Sequence, residues 1–400
     1  MRRSLFATLL ATSALVAPSL ASAEGPLEPL GIRAGAFLVY PRVNTSLAYD
    51  TNVYAEPDNE NSDVLLIVRP EVDVQSQWSR HSLSASAFAE GGFYRDETAA
   101  NWLDFGLGLA GVVDISSAQA LRIDVSAARL HEDAGDPDAV GSSDVTKYLA
   151  LTGNIAYRYQ FNRFFVQPSV GASRSDFEDV PGFNNDDRDH NLYQLALRGG
   201  VAVSPAIRVF GEGFWRRSDY DQTPDDAGVD RESKTYGVRV GTELEFSRLL
   251  TGDAAIGVAR NKPDDSALDD TTGFNAVVGL TWTPTPLTTV DLNALADMQE
   301  TTVTFKGETA STRFRKQIGV NVTHAVRQNV SVSGRAFYIR DDFQGTDRSD
   351  DVYGLGLGVN YTVNRWLVLG ASWDFQKRNS DDDTAEYTRH RVLATVTLRR

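Results

Sequence analysis

No cysteine occurs anywhere in the 400 residues, so a disulfide frame, a thiol nucleophile and a thiolate metal site are all excluded. Histidine is scarce, at five copies, and beyond the N-terminal stretch no apolar run approaches the roughly 18 residues a transmembrane helix needs. Positive charge is the minority: 39 Lys and Arg stand against 54 Asp and Glu, a formal charge of −15. So acidic a chain is a poor partner for nucleic acid. The chain must therefore be held together by its backbone ladder and packing.

What is present begins with MRRSLFATLLATSALVAPSLASA. Arg2 and Arg3 form a basic start, residues 5–17 an Ala-rich apolar stretch, and Ala21-Ser22-Ala23 an A-x-A site. This pattern predicts a cleaved signal peptide over residues 1–23 and export through the inner membrane. Without Arg2 and Arg3 the formal charge moves from −15 to −17.

Past that point one pattern recurs. In LLIVRPEVDVQSQW (65–78), Leu66, Val68, Val72, Val74 and Trp78 fall on one side, while Arg69, Glu71, Asp73, Gln75 and Gln77 fall on the other. A period of two over so many residues is a long β-strand with one apolar and one wet face. Eighteen segments alternate in this way. The first nine are 35–49, 63–78, 81–94, 102–115, 119–131, 146–159, 163–176, 190–203 and 206–218. The others are 233–246, 249–260, 273–283, 287–299, 312–324, 329–340, 351–363, 366–377 and 388–399. Their connections alternate between short ones, such as Ser204-Pro205 and Asn364-Arg365, and long ones, such as 132–145 and 219–232.

An even strand count with short turns at one end and long loops at the other predicts an all-β fold: a closed up-and-down antiparallel transmembrane β-barrel of about 18 strands, with 16 as the alternative, over residues 35–400. The short turns and both termini then face the periplasm. Strands this numerous leave an aqueous channel rather than a solid core, so the apolar face meets lipid and the polar face lines water. In 236–246, Tyr236, Val238, Val240, Leu244 and Phe246 point out, and Arg239, Gly241, Glu243 and Glu245 point in. Residues 24–34 (EGPLEPLGIRA) are expected to be a periplasmic lead-in, disordered rather than tucked into the lower mouth. Pro70 and Pro168, inside strands, each remove a ladder donor and predict a bulge.

Inward parity nominates a mixed-sign lumen of Arg69, Glu71, Asp73, Arg198, Arg208, Glu212, Arg239, Glu243, Arg315 and Arg335. Pairing across neighbouring strands accounts for most such charges, and any unpaired one would filter solutes by charge. Outward parity at the long-loop ends nominates Arg95, Arg129, Arg174, Arg217, Arg260, Arg340 and Lys377 as a basic collar for the phosphates of lipopolysaccharide, with generic snorkelling as the plainer account. The opposite ends carry an aromatic girdle of Trp78, Tyr159, Phe246, Trp282 and Tyr361. No connection is long enough to lead us to expect a loop folded into the bore.

The long loops are acidic, which reads as solvation or as a cation-attracting vestibule, and DDAGVDRE lacks the order of an EF-hand, so no dedicated metal site is expected. By parity His81, His131, His324 and His390 point outward and only His190 inward. No Ser-His-Asp set converges, and neither catalysis nor a cofactor is expected. The final residues, ATVTLRR, lack the terminal aromatic that helps many outer-membrane barrels engage the barrel-assembly machinery.

The segment YDTNVY (49–54) followed by SDVLLIVRPEVDVQSQWSRHSLS (62–84), with DYDQTPDDAGVDRES (219–233) and LTWTPTPLTTV (280–290), resembles the second of the outer-membrane β-barrel porin families. The resemblance implies an outer-membrane location. Because some members are associated with exopolysaccharide export, it also implies periplasmic polysaccharide-export proteins as partners. The leading expectation is a porin-like conduit for hydrophilic solutes. The barrel of an export system and a non-conducting structural barrel are the alternatives.

Overall fold

A computed structural model describes residues 27–139, 144–246 and 249–400, so the signal peptide expected at 1–23 lies outside the described residues. Eighteen long strands follow one another: β1 Phe37–Asp50, β2 Asp63–Ser76, β3 Ser82–Tyr94, β4 Trp102–Ser116, β5 Gln119–His131, β6 Lys147–Phe161, β7 Phe164–Phe177, β8 His190–Ser204 and β9 Ile207–Tyr220. The second half comprises β10 Ser233–Phe246, β11 Leu250–Pro263, β12 Thr271–Thr285, β13 Thr288–Gln299, β14 Thr312–Arg327, β15 Val330–Gln344, β16 Ser349–Asn364, β17 Leu367–Ser380 and β18 Tyr387–Arg399. Each pairs antiparallel with its neighbours in sequence, and β18 returns to β1 from Arg42↔Arg399 to Asp50↔Arg391. The sheet is therefore a closed up-and-down barrel of eighteen strands, as the alternation predicted.

Side chains make the seam as well as the backbone. Ser46 and Thr395 hydroxyls meet at 2.8 Å, Thr397 donates to Asn44 at 2.7 Å, and Arg391 reaches Asp50 at 2.7 Å. Outside, the barrel is apolar and open to its surroundings: Leu107, Val238, Val240 and Leu357 each keep more than three-fifths of their surface exposed. A water-soluble protein does not carry a continuous apolar belt of that kind. At the short-turn end, Trp78, Tyr159, Phe246, Trp282 and Tyr361 are all exposed, as a headgroup-level aromatic girdle requires.

Two local expectations fail. Pro70 and Pro168 cause no bulge: the register is the same on both sides, Val68↔Gly91 continuing as Glu71↔Phe88 and Ala156↔Ser169 as Tyr159↔Val166. Each ring only interrupts a rung or two, because a missing N–H does not by itself insert a residue. Nor is the N-terminal segment a free lead-in. Ile32–Ala34 folds back on Phe37–Val39, and Arg399 donates to the Leu27 carbonyl at 3.1 Å, so this stretch is tied to the lower rim.

Glycines on the inner face let aromatic rings lie flat against the wall. A Cβ at Gly237 would stand 2.6 Å from the Phe214 ring, and one at Gly241 would stand 2.6 Å from the Phe210 ring. The rings thus occupy wall space that a neighbouring side chain would otherwise fill. The sidedness is directly testable. Val240→Arg should destabilise the barrel in a bilayer by about 2–4 kcal/mol in a denaturant titration, since a cation would face hydrocarbon. A loss near zero would sink the assignment of that face to lipid.

Candidate functional site: the lumen and its mouth

Inward side chains form a wall of opposed charges. Arg69 bonds Glu90 at 3.1 Å and Glu71 at 3.3 Å, and Arg42 holds both Glu71 and Asp73. Arg198 meets Glu212 at 2.7 Å, Arg239 meets the same carboxylate at 2.5 Å, and Arg208 meets Glu245 at 3.2 Å. Arg315 pairs with Asp341 at 2.7 Å and Arg335 with Asp374 at 2.8 Å. Glu243 is reached from β6, four strands away, by Arg158 at 3.0 Å. Arg216 likewise bridges from β9 to Asp297 on β13 at 2.7 Å. These long reaches draw the β6–β13 part of the wall together.

Several guanidinium groups are held from two sides. Arg69 lies 4.4 Å above the Phe88 ring, Arg158 3.9 Å above Phe165, Arg198 4.0 Å above Phe210 and Arg239 4.6 Å above Phe214. Each such stack contributes about 0.5–2 kcal/mol and, with the carboxylate on its other side, fixes the charge against the wall. The β2–β6 wall is different. There a recess of about 350 Å³ is lined by Asp73, Gln75, Ser84, Ser86, Asp124 and Ser126, with Thr152 and Asn154.

The upper mouth overturns an expectation. Residues 132–139, in the connection from β5 to β6, fold inward and cross to the far wall. Asp133 pairs with Arg389 at 3.2 Å and Arg391 at 3.6 Å on β18, and the Gly135 carbonyl accepts from Arg378 on β17. Asp138 accepts from Thr301 Oγ1 at 2.6 Å and from the Thr302 N–H at 2.9 Å, and pairs with Arg313 on β14 at 3.1 Å. From β5 to β14 is nine steps round an eighteen-strand ring, so the loop spans the mouth. Length was the wrong criterion. A connection of modest length docks because its carboxylates meet a preformed set of wall arginines. Gly135 also has to be glycine, since a Cβ there would lie 2.7 Å from Tyr387 Oη.

Other loops complete the cover. Arg188, in the β7–β8 connection, pairs with Glu132 and lies 4.1 Å over Phe177. Arg231, in the β9–β10 connection, bonds Asp225 at 2.6 Å and donates to the Thr301 carbonyl at 2.9 Å. Burial pushes Glu132 up to about 7 despite the pull of Arg188. Burial also raises Asp133 and Asp138, but Arg389 and Arg391 for the first, and Arg313 and the Thr301 hydroxyl for the second, more than offset it. Both carboxyls end below the usual range.

The outward basic residues are not bare cations. Arg129 makes a two-pronged pair with Glu178 at 2.8 Å, Arg174 reaches Asp221 at 2.7 Å and Asp176 at 2.9 Å, and Arg217 is held by Asp219, Glu232 and Asp264. Arg260 pairs with Asp270 at 2.6 Å and Arg340 with Asp342 at 2.9 Å. Arg95 is exposed with Asp96 at 3.9 Å, and Lys377 is exposed. The rim therefore presents alternating charges, with the acidic loops supplying the partners. His131 departs from its parity: its Nδ1 lies 2.8 Å from the buried Asp104 carboxylate and its ring stacks on Trp102 at 4.2 Å. Alternation stops governing direction once the strand leaves the membrane belt. His190 donates to the Arg188 carbonyl at 2.8 Å.

Sequence reading missed Arg313, Arg378, Arg389 and Arg391. Inward parity followed to the tops of β14, β17 and β18 would have found them, whereas their loop partners have no periodic signal. Removing one of those partners should show at once. Asp138→Asn is expected to weaken loop docking by at least about 1.5–3 kcal/mol, the worth of a hydrogen bond to a charged group, read as faster amide exchange over 133–139. Docking should also depend on pH in both directions. The Asp133 and Asp138 contributions are complete above the free value of 3.8 and vanish as pH falls through their lower docked values. Glu132, raised in the docked state, favours docking below its free value of 4.5 and opposes it as pH rises through about 7. Exchange protection of the loop should therefore peak at about pH 4 to 4.5 and be lost progressively from there towards about pH 7; a monotonic profile would refute this balance.

Among solved structures, the copper transporter OprC is 12% identical, with 92% of this chain and 82% of that one covered and a TM-score of 0.50. The Pseudomonas aeruginosa protein OpdO is 11% identical (94% and 98% covered, TM-score 0.45), and a BenF-like porin from Pseudomonas fluorescens Pf-5 is 9% identical (90% and 99%, TM-score 0.47). At such identities the likeness is one of fold. No curated protein matches the chain. The profile of one family, described as Putative beta-barrel porin 2, matches residues 25–400, nearly the whole length. The chain belongs to that family and is a porin-like outer-membrane β-barrel.

Proposed function

We propose that the barrel is a narrow water-filled path for small hydrophilic solutes. The observation that carries this reading is the polar recess along β2–β6, left open while the arginine network gathers the β6–β13 wall. Hydroxyl, amide and carboxylate groups line it together with Gly108, Ala110 and neighbouring apolar residues, and the polar groups give a hydrated solute hydrogen-bond partners. The mouth sets the size limit, because the β5–β6 loop crosses it. An extended polymer such as an exopolysaccharide would need that loop displaced entirely, so the docked loop speaks against the export alternative. It favours instead, as the second reading, a barrel closed at rest. No catalytic role enters either reading.

Purified protein whose folding is verified by heat-modifiability should give small ohmic conductance steps in a planar bilayer. Steps expected of an unobstructed eighteen-stranded bore would refute the narrow mouth. Silence from folded protein would refute the solute path and leave the closed barrel.

A further inference from the structure

Beneath the mouth, one arc of the wall from β14 to β18 carries Arg313, Arg378, Arg389 and Arg391, the first three almost wholly buried. They sit on strands of a closed sheet, so they are fixed in place. Some of their partners are fixed too: Asp50 on β1 binds Arg389 at 2.6 Å and Arg391 at 2.7 Å. Others belong to the β5–β6 loop, which lies outside the sheet. The carboxylates within bonding distance of Arg313 are Asp136 at 3.6 Å and Asp138 at 3.1 Å, both from the loop. Arg378 gives one nitrogen to the loop's Gly135 carbonyl, with Asp350 at 3.9 Å.

The loop does not use every donor it covers. Arg313 Nε, Arg378 Nε and Tyr387 Oη are buried and make no hydrogen bond among the described residues. Unbonded Nε donors also occur singly at Arg216, Arg239 and Arg335, but in this arc they lie beside carboxylates that come from a loop, which leaves the arc able to take more acceptor oxygens than it now receives.

We propose that this arc is a binding site for multiply charged anions of the polycarboxylate type, occupied at rest by the loop's own carboxylates. The proposal rests on the reading of the barrel as a solute path and names the solute class. Its sign follows from the charge of each half. The strand-borne half is net basic, four arginines against Asp50 and Asp350, and the loop half is acidic, so whatever takes the loop's place must be an anion. Asp133, Asp136 and Asp138 present three carboxylates within six residues, and a tricarboxylate carries the same charge in one molecule. The acidic outer loops disfavour this approach at long range, but that field fades beyond about 8 Å at physiological ionic strength, whereas contact with the arginines does not. Displacement of the loop then opens the mouth to the solute that displaced it.

Citrate is the probe, with sorbitol as an uncharged control, and the full-length protein is folded in detergent. Calorimetric titration should show the Asp133→Asn/Asp138→Asn variant binding citrate at least about tenfold tighter than wild type, since each tenfold step corresponds to about 1.4 kcal/mol of lost competition from the loop. Adding Arg313→Gln should abolish that gain, and sorbitol should bind none of them. Equal citrate affinity in variant and wild type, or a gain that survives Arg313→Gln, would overturn the site. Wild-type protein provides a measurement that needs no variant: citrate, and not sorbitol, should speed amide exchange over residues 133–139. Unchanged exchange at saturating citrate counts against the proposal. Binding is read without a bilayer, so a silent conductance trace would defeat the solute path alone, and absent binding in a conducting barrel would defeat the anion site alone.

Discussion

In hydrocarbon, an unpaired backbone N–H or C=O costs several kcal/mol, and a sheet has such groups at both edges until the edges meet. The pairing of β18 with β1 is therefore the contact on which every other feature depends. Closure with every pair antiparallel requires strands long enough to cross, an even number of them, and a strict alternation that sends Val238 and Val240 outward while Arg239 faces in. It also frees the interior from packing. A soluble sandwich would spend its inner face on a dry core, whereas here that face can carry arginine and glutamate.

Those inner charges are then subject to a different constraint. A guanidinium away from bulk water needs each of its sides answered, and the wall meets the need with a ring beneath and a carboxylate beside, as at Phe210, Arg198 and Glu212. Glycine opposite the ring makes room for it, as Gly241 does for Phe210. Sequence, packing and electrostatics meet at each such station, and the result is a lumen whose charges are held rigidly and nearly balanced. The arc from β14 to β18 is the exception, because a share of its balance comes from a loop.

That loop explains how an acidic protein can hold a basic chamber. Net charge sums every residue wherever it sits, and in that sum the acidic residues of the long loops outweigh the arginines. Such a sum does not say where the charges sit: the buried arginines at the mouth are matched on the spot by Asp133 and Asp138, which lie against them. The same carboxylates that would read as solvated loop residues serve as the internal counter-ions of the wall. Glu132 and Arg188 show the other side of this arrangement: a buried pair joins two connections, and burial works against its charged form.

Period-two alternation and the alternating lengths of connections were enough, by themselves, to determine the closed barrel, which residues face lipid and a count of about 18 strands, with the structure deciding 18 over 16, because a strand in a membrane has one physical solution for its two faces. The inward direction of Arg69, Glu71, Arg198 and Arg239 came with it. Only the tertiary structure decided which charges meet, since Arg158 and Glu243 are four strands apart and no local spacing encodes that reach. It alone decided that the β5–β6 connection enters the mouth, because a loop has no periodicity to read and its destination depends on Arg313, Arg378 and Arg389 being brought within range by closure. His131 turned inward for the same reason: beyond the membrane belt, a hydrogen bond to Asp104 outweighs the parity of the strand.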